Sequence, residues 1–157
     1  MKQLLVFMCI ALSIPPSLHA QKEAAMTIHA KGTFDVKVTP QPPDDAAAGP
    51  FGRLLLDKKF HGDLDGTSKG QMLASGTGEG SGAYVALELV SGALSGRRGS
   101  FVLQHNGSMT KGVATMVVTV VPDSGTDELA GLAGKMTIVI ADGKHSYELE
   151  YTLGGVK

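Results

Sequence analysis

Three ionisable side chains stand on strand faces that otherwise read as core. Lys58 shares a face with Leu54, Leu56 and Phe60, Glu88 with Tyr84 and Ala86, and His105 with Phe101 and Leu103. A buried ammonium or carboxylate is costly unless it is paired. If the three point inward, they must meet each other, water or a ligand. Such clusters are where pKa values shift and where acid–base chemistry is done. Glu88, His105 and Lys58 are therefore the candidate catalytic residues. The alternative keeps them structural. Lys58 then reaches a barrel mouth along its aliphatic stem, Glu88 sits at a rim, and His105 is fixed by hydrogen bonds near the Asn106-Gly107 dipeptide.

No other motif carries chemistry. The run Gly76–Gly82 (GTGEGSG) precedes a strand, not a helix, and lacks the Gly-Lys-Ser/Thr ending of a phosphate loop. It reads as a hairpin loop. Asn106-Gly107-Ser108 matches a glycosylation acceptor but reads first as a tight turn. His29, His61, His105 and His145 show no mutual spacing suited to a metal, so no metal and no cofactor is assigned. The Gly-x-Ser-x-Gly nucleophile elbow is absent.

The elements that must position these residues are strands. Ile28, Ala30, Gly32, Phe34, Val36 and Val38 alternate with His29, Lys31, Thr33, Asp35 and Lys37, a period of two that marks a half-buried strand. Pro40 to Pro50 is a loop. Further strands read as Leu54–Phe60, Leu64–Ser75, Ala83–Val90, Ser100–His105, Thr115–Val121, Met136–Ile140 and Ser146–Leu153. Asn106-Gly107 and Asp142-Gly143 are hairpin signals, and one short helical turn is expected around Glu128-Leu129-Ala130. No segment after the leader carries a helical period. Eight short strands imply a sandwich or a barrel, and hairpin-linked neighbours favour an antiparallel up-and-down barrel, which leaves no exposed edge. Small residues on one face of the third strand, Gly66, Ser68 and Gly70, leave space inside.

The chain has 157 residues, the length of one domain. Residues 1–20 read as an export signal. Lys2 gives the positive start, Leu4–Leu12 the apolar run, and Leu18 and Ala20 the positions before the cut. That run is too short to span a bilayer, so no stable membrane insertion is expected. The domain is 21–157, exported to the periplasm or the medium. The lone cysteine, Cys9, falls in the leader, which leaves no disulfide to hold the fold. Fourteen basic residues balance fifteen acidic ones without a basic block, which argues against nucleic acid as a partner. Tryptophan is absent and aromatics are 5%, too few for stacking platforms.

Four stretches carry a family likeness: Lys59–Ser68 (KFHGDLDGTS), Gly82–Glu88 (GAYVALE), Gly99–His105 (GSFVLQH) and Val121–Thr126 (VPDSGT). Together they resemble a bacterial family of unknown function with a barrel similar to allene oxide cyclase. The likeness spans most of residues 31–153. Gly125–Gly134 (GTDELAGLAG) is similar to the glycine-rich turn of allene oxide cyclases and dirigent proteins, with Asp127 at the second glycine and Leu129 at the usual aromatic. The resemblance implies an eight-stranded antiparallel barrel, a homo-oligomer (a trimer), and a central apolar cavity. In those relatives the barrel steers a reactive lipid or phenolic intermediate. No catalytic position of theirs aligns onto this chain.

Three functions remain open. A binding module needs only a cavity lined by Leu54, Leu56, Tyr84, Phe101, Leu103, Tyr147 and Tyr151. Of these, Tyr84, Phe101, Leu103, Tyr147 and Tyr151 are the candidate ligand contacts, and the ligand is a small apolar molecule. An isomerase or cyclase needs Glu88, His105 or Lys58 inside that cavity. A structural protein needs a filled barrel and an outer face that makes the contacts. The binding module is the leading reading, because no motif demands chemistry and a fold does not fix a function.

Overall fold

The computed structural model describes residues 26–43 and 49–154, so the leader expected over residues 1–20 lies outside the described residues. Eight strands follow in chain order: β1 (Ile28–Pro40), β2 (Gly52–Gly62), β3 (Leu64–Gly76), β4 (Gly82–Leu94), β5 (Arg97–Thr110), β6 (Val113–Val120), β7 (Leu132–Ala141) and β8 (Lys144–Leu153). Each pairs antiparallel with its sequence neighbour, and β1 pairs with β8 to close the ring. The architecture is the up-and-down barrel that alternation and hairpin spacing call for, and the sandwich is excluded. Inward side chains alternate with outward ones along each strand, as a pleated wall requires.

Turn chemistry sets the connections at three tight hairpins. Ser95-Gly96, Lys111-Gly112 and Asp142-Gly143 have positive φ at both residues, the conformation whose twist matches the flanking strands. Asn106-Gly107 is not a turn. It lies inside β5, and the chain reverses at Lys111-Gly112 instead. The reason is packing. Gly107 is buried with the Tyr84 ring lying where a Cβ would be, so this glycine answers to a close approach, not to a bend.

The two ends of the barrel differ. At one end lie the β2–β3 and β4–β5 turns, the β6–β7 connection, the start of β1 and the end of β8. This end is plugged. A single 3-10 turn, Asp127–Leu129, drives Leu129 into it, and Leu129 is 1% exposed. Gly99 and Gly125 carry no side chain there, because a Cβ on either would collide with this turn. Phe60, Leu64, Leu94, Phe101, Leu132 and Tyr151 pack beneath it.

The other end is open. There the inward positions Val36, Leu54, Met72, Tyr84 and Ile138 are only half-buried. The wall is also incomplete. β6 and β7 share two paired positions, Val118↔Met136 and Thr119↔Lys135, and then part. Both strands stay paired on their other sides, β6 with β5 down to Val113 and β7 with β8 up to Ala141. The result is a wedge-shaped gap of about 500 Å3, bordered by Ala114, Met116, Val118, Met136, Ile138 and Ile140.

Candidate functional site

Halfway down the barrel the apolar interior is interrupted by a polar layer. Strand register builds it. Lys58 on β2 is opposite Ser68 on β3, Gly70 on β3 is opposite Glu88 on β4, and Ala86 next to Glu88 is opposite His105 on β5. Gly70 leaves the space that the Glu88 side chain fills, since a Cβ there would press on Glu88 and on the β4 backbone. All four polar side chains are buried: Lys58 is 6% exposed, Ser68 2%, Glu88 0% and His105 3%.

Glu88 is the hub. Its Oε2 accepts a hydrogen bond from Lys58 Nζ at 2.6 Å, and its Oε1 accepts one from Ser68 Oγ at 2.5 Å. His105 Nε2 stands 3.1 Å from Oε2, within ion-pair range but without the alignment of a hydrogen bond. Through this contact His105 helps to hold the Glu88 charge. The Lys58 ammonium also sits 4.8 Å from the Phe34 ring centroid and 5.8 Å from that of Phe60, two aromatic faces that help hold a desolvated cation.

These contacts fix the charge state. Burial pushes the Glu88 carboxyl up, but His105, Lys58 and Ser68 more than offset it and hold the carboxyl down at about 2. Glu88 is therefore a carboxylate at any ordinary pH, with no proton to give and little appetite for one. Above it, toward the open end, the Tyr84 hydroxyl is pushed up by burial and by the Glu88 charge, which places the phenol in the field of the same hub.

The structure thus brings Lys58, Glu88 and His105 into one cluster and adds Ser68. In the sequence Ser68 stands out only as a small residue that makes room, and its inward parity beside Gly66 and Gly70 is the signal that points to the cluster. The five aromatic and aliphatic candidates divide. Tyr84 stands at the open end over Gly107. Phe101 and Leu103 are core, 1% and 0% exposed. Tyr147 and Tyr151 serve the plugged end. The Tyr147 hydroxyl accepts from the Leu64 backbone N–H at 2.9 Å and donates to the His61 carbonyl at 3.3 Å, while Tyr151 donates to Ser95 Oγ at 3.1 Å. Of the other histidines, His29 and His61 lie half-exposed on the outer wall against Glu148 and Asp35, and His145 tilts against Phe34 at 5.0 Å. Among the described residues no three His, Cys, Asp or Glu side chains gather as a metal would need. None of the described helical residues forms a helix long and apolar enough to cross a membrane.

Two concave sites stand out among the described residues, the gap between β6 and β7 and a groove outside the wall over β2 to β5. The first offers apolar side chains of β6 and β7, with Thr115, Thr137 and Lys135 among them. Comparison with known proteins bears on the fold and the family. Residues 30–151 match the model of a family described as "Protein of unknown function (DUF3224)". A crystal structure from that family, a protein of unknown function from Shewanella oneidensis MR-1, is similar at 45% identity, with a TM-score of 0.78, and the match covers 83% of this chain and 100% of that one. No curated protein matches.

Proposed function

The chain belongs to the DUF3224 family, and from its geometry we propose a binding protein that holds a small, mainly apolar molecule in the open half of the barrel. The molecule lies beside the gap between β6 and β7 and above the Lys58–Glu88–His105 floor. One observation carries this reading. At a single end, inward-facing apolar side chains stay accessible, with Met116 38% and Ile140 62% exposed, around a gap of about 500 Å3. Pockets for small ligands run roughly 300–1,000 Å3, mostly apolar with a few fixed polar groups. Thr115, Thr137 and Lys135 supply polar groups at the gap itself.

The charge state weighs against acid–base work at Glu88. A general acid or base works best with a pKa near the operating pH, and Glu88 is held at about 2. Its role in this reading is to keep Lys58 and His105 in place. The likeness of Gly125–Gly134 to allene oxide cyclases and dirigent proteins lends further support to an occupied barrel, without extending their cyclisation or coupling to this chain. In this reading residues 1–20 export the protein to the periplasm or the medium, where a carrier keeps apolar molecules in water.

The test is native mass spectrometry of the protein taken gently from its own exported fraction, alongside titration with an apolar fluorescent probe. A retained mass at fixed stoichiometry and saturable probe uptake are expected. In Met116→Lys, a substitution at an exposed rim position, uptake should fall at least tenfold, as burying a lysine head against the ligand would require. A bare mass together with no saturable uptake overturns the proposal.

A further inference from the structure

Two strand edges face each other across the gap between β6 and β7. The strands are joined only at Val118↔Met136 and Thr119↔Lys135, so Val113–Val117 and Thr137–Ala141 are paired on one side alone among the described residues. The turns show which backbone groups point into the gap. Lys111-Gly112 and Asp142-Gly143 are two-residue loops with positive φ, and such a loop is closed by a pair that exchanges both ladder hydrogen bonds. The closing pairs are Thr110↔Val113 and Ala141↔Lys144. Alternate residues from there bond the same neighbour, so Val113, Thr115 and Val117 turn their N–H and C=O to β5, and Thr137, Val139 and Ala141 turn theirs to β8. Ala114 and Met116 on β6, and Ile138 and Ile140 on β7, are left with both groups aimed into the gap that they line.

A row of unpaired N–H and C=O groups is a template for another strand, and proteins usually blunt such an edge with charge or proline. Neither edge here is blunted. From Val113 to Val120 and from Met136 to Ala141 there is no charge and no proline, and most residues are β-branched. Side chains on both sides of the edges are accessible. Met116 and Ile140, on the inward side, are 38% and 62% exposed, and Val117 and Val139, on the outward side, are 63% and 54% exposed.

We infer that the gap takes an extended, uncharged peptide by strand addition. The inference rests on the binding role proposed above and names the class of molecule bound. A polypeptide is selected because its own N–H and C=O groups recur at the strand repeat and so meet those of Ala114 and Met116, or of Ile138 and Ile140. Main-chain bonds supply the affinity. Alternate side chains of the peptide then lie inward beside Met116 and Ile138, or outward beside Val117 and Val139. A charge carried between two uncharged edges would be desolvated without a partner, so the bound stretch is uncharged. β6 and β7 run in opposite directions, so the guest is antiparallel to one edge and parallel to the other. The antiparallel edge makes the slightly stronger ladder. Each open edge is five residues long, about 16 Å of strand, which sets the length of the bound segment.

The probe is the blocked peptide acetyl-Val-Thr-Val-Thr-Val-amide carrying a fluorophore, titrated against the protein and followed by polarisation, with amide hydrogen exchange read in parallel. Saturable binding is expected, with exchange slowed over Ala114–Met116 or Ile138–Ile140. Two further peptides, N-methylated at one or the other set of alternate residues, keep the side chains but lose the donors toward one edge. At least one of them should bind roughly tenfold more weakly. Equal binding of all three peptides overturns the inference. So does saturable uptake of an apolar fluorescent probe with none of the peptide, an outcome that leaves the binding role standing. Failure of probe and peptide alike removes that role as well. Protection of the same amides that rises with protein concentration in peptide-free samples gives the edges to a second copy and also overturns the inference.

Discussion

At the scale of single residues, the buried hub makes a prediction about acid. The Glu88 carboxyl titrates at about 2 in the folded chain, against a usual 4.5. A depressed folded pKa means that the carboxylate's contribution to stability is fully present above the unfolded value and is lost as pH falls from about 4.5 through 2. A shift of this size corresponds to on the order of 3 kcal/mol. Glu148, held below its usual value on the open outer wall by His29 and then Lys31, adds to the same trend with the same sign. The hub's share is separated by Lys58→Met combined with Glu88→Gln. A buried ion pair can be replaced by uncharged groups at little net change, whereas removing one partner alone strands a charge and costs roughly 3–5 kcal/mol. Urea midpoints at neutral pH should therefore fall sharply for Glu88→Gln alone and largely recover in the double variant. Below about pH 4 the double variant should lose less stability than the wild type. Equal acid loss in both would place the sensitivity in surface carboxylates instead. That Lys58, Glu88 and His105 stand on faces shared with core residues was legible in sequence, because each breaks the apolar parity of its own strand. Their partners were not, because register between strands decides which of the inward groups lie within 3 Å.

At the scale of elements, β4 and β5 show why local signals can mislead. Asn106-Gly107 reads as a hairpin turn, and the same kind of dipeptide does turn the chain at Asp142-Gly143. In β5 the glycine instead makes room for the Tyr84 ring across the strand pair, and the strand runs on to Thr110. Nothing near Gly107 in sequence announces this, since Tyr84 lies on the neighbouring strand. Gly107→Ala puts a methyl group into the space of that ring. The ring must leave its seat, and overpacking of this kind costs about 1–3 kcal/mol. Replacing Tyr84 by Ala in the same chain frees the space, so the two substitutions should be non-additive by more than about 0.5 kcal/mol in denaturant melts. Additive losses would mean that the ring is not what excludes a side chain at position 107. The parting of β6 from β7 is a second feature that alternation cannot report. Thr115–Val121 and Met136–Ile140 were both visible as strands. They share only Val118↔Met136 and Thr119↔Lys135, a matter of three-dimensional register that alternation along either strand does not carry.

At the scale of the whole molecule, the barrel is a vessel with one sealed and one open end, and the two ends should answer to different experiments. Leu129, 1% exposed, closes the sealed end from a 3-10 turn wedged against Gly99 and Gly125. Met116, 38% exposed, flanks the open end where β6 has parted from β7. Removing a fully buried leucine leaves a cavity, and Leu→Ala costs about 2–5 kcal/mol. Trimming a partly exposed methionine removes little packing, and its effect on stability should stay below about 1 kcal/mol. If the open end is where a ligand rests, occupancy runs the other way. Met116→Ala should weaken retention of an apolar molecule at near-native stability. Leu129→Ala should lower the urea midpoint sharply, yet leave affinity unchanged in the fraction that remains folded. Measuring both quantities on both variants separates packing from binding. Losses that travel together in each variant would mean that the interior is one continuous core without a separate binding half, and the barrel would then act through its outer wall.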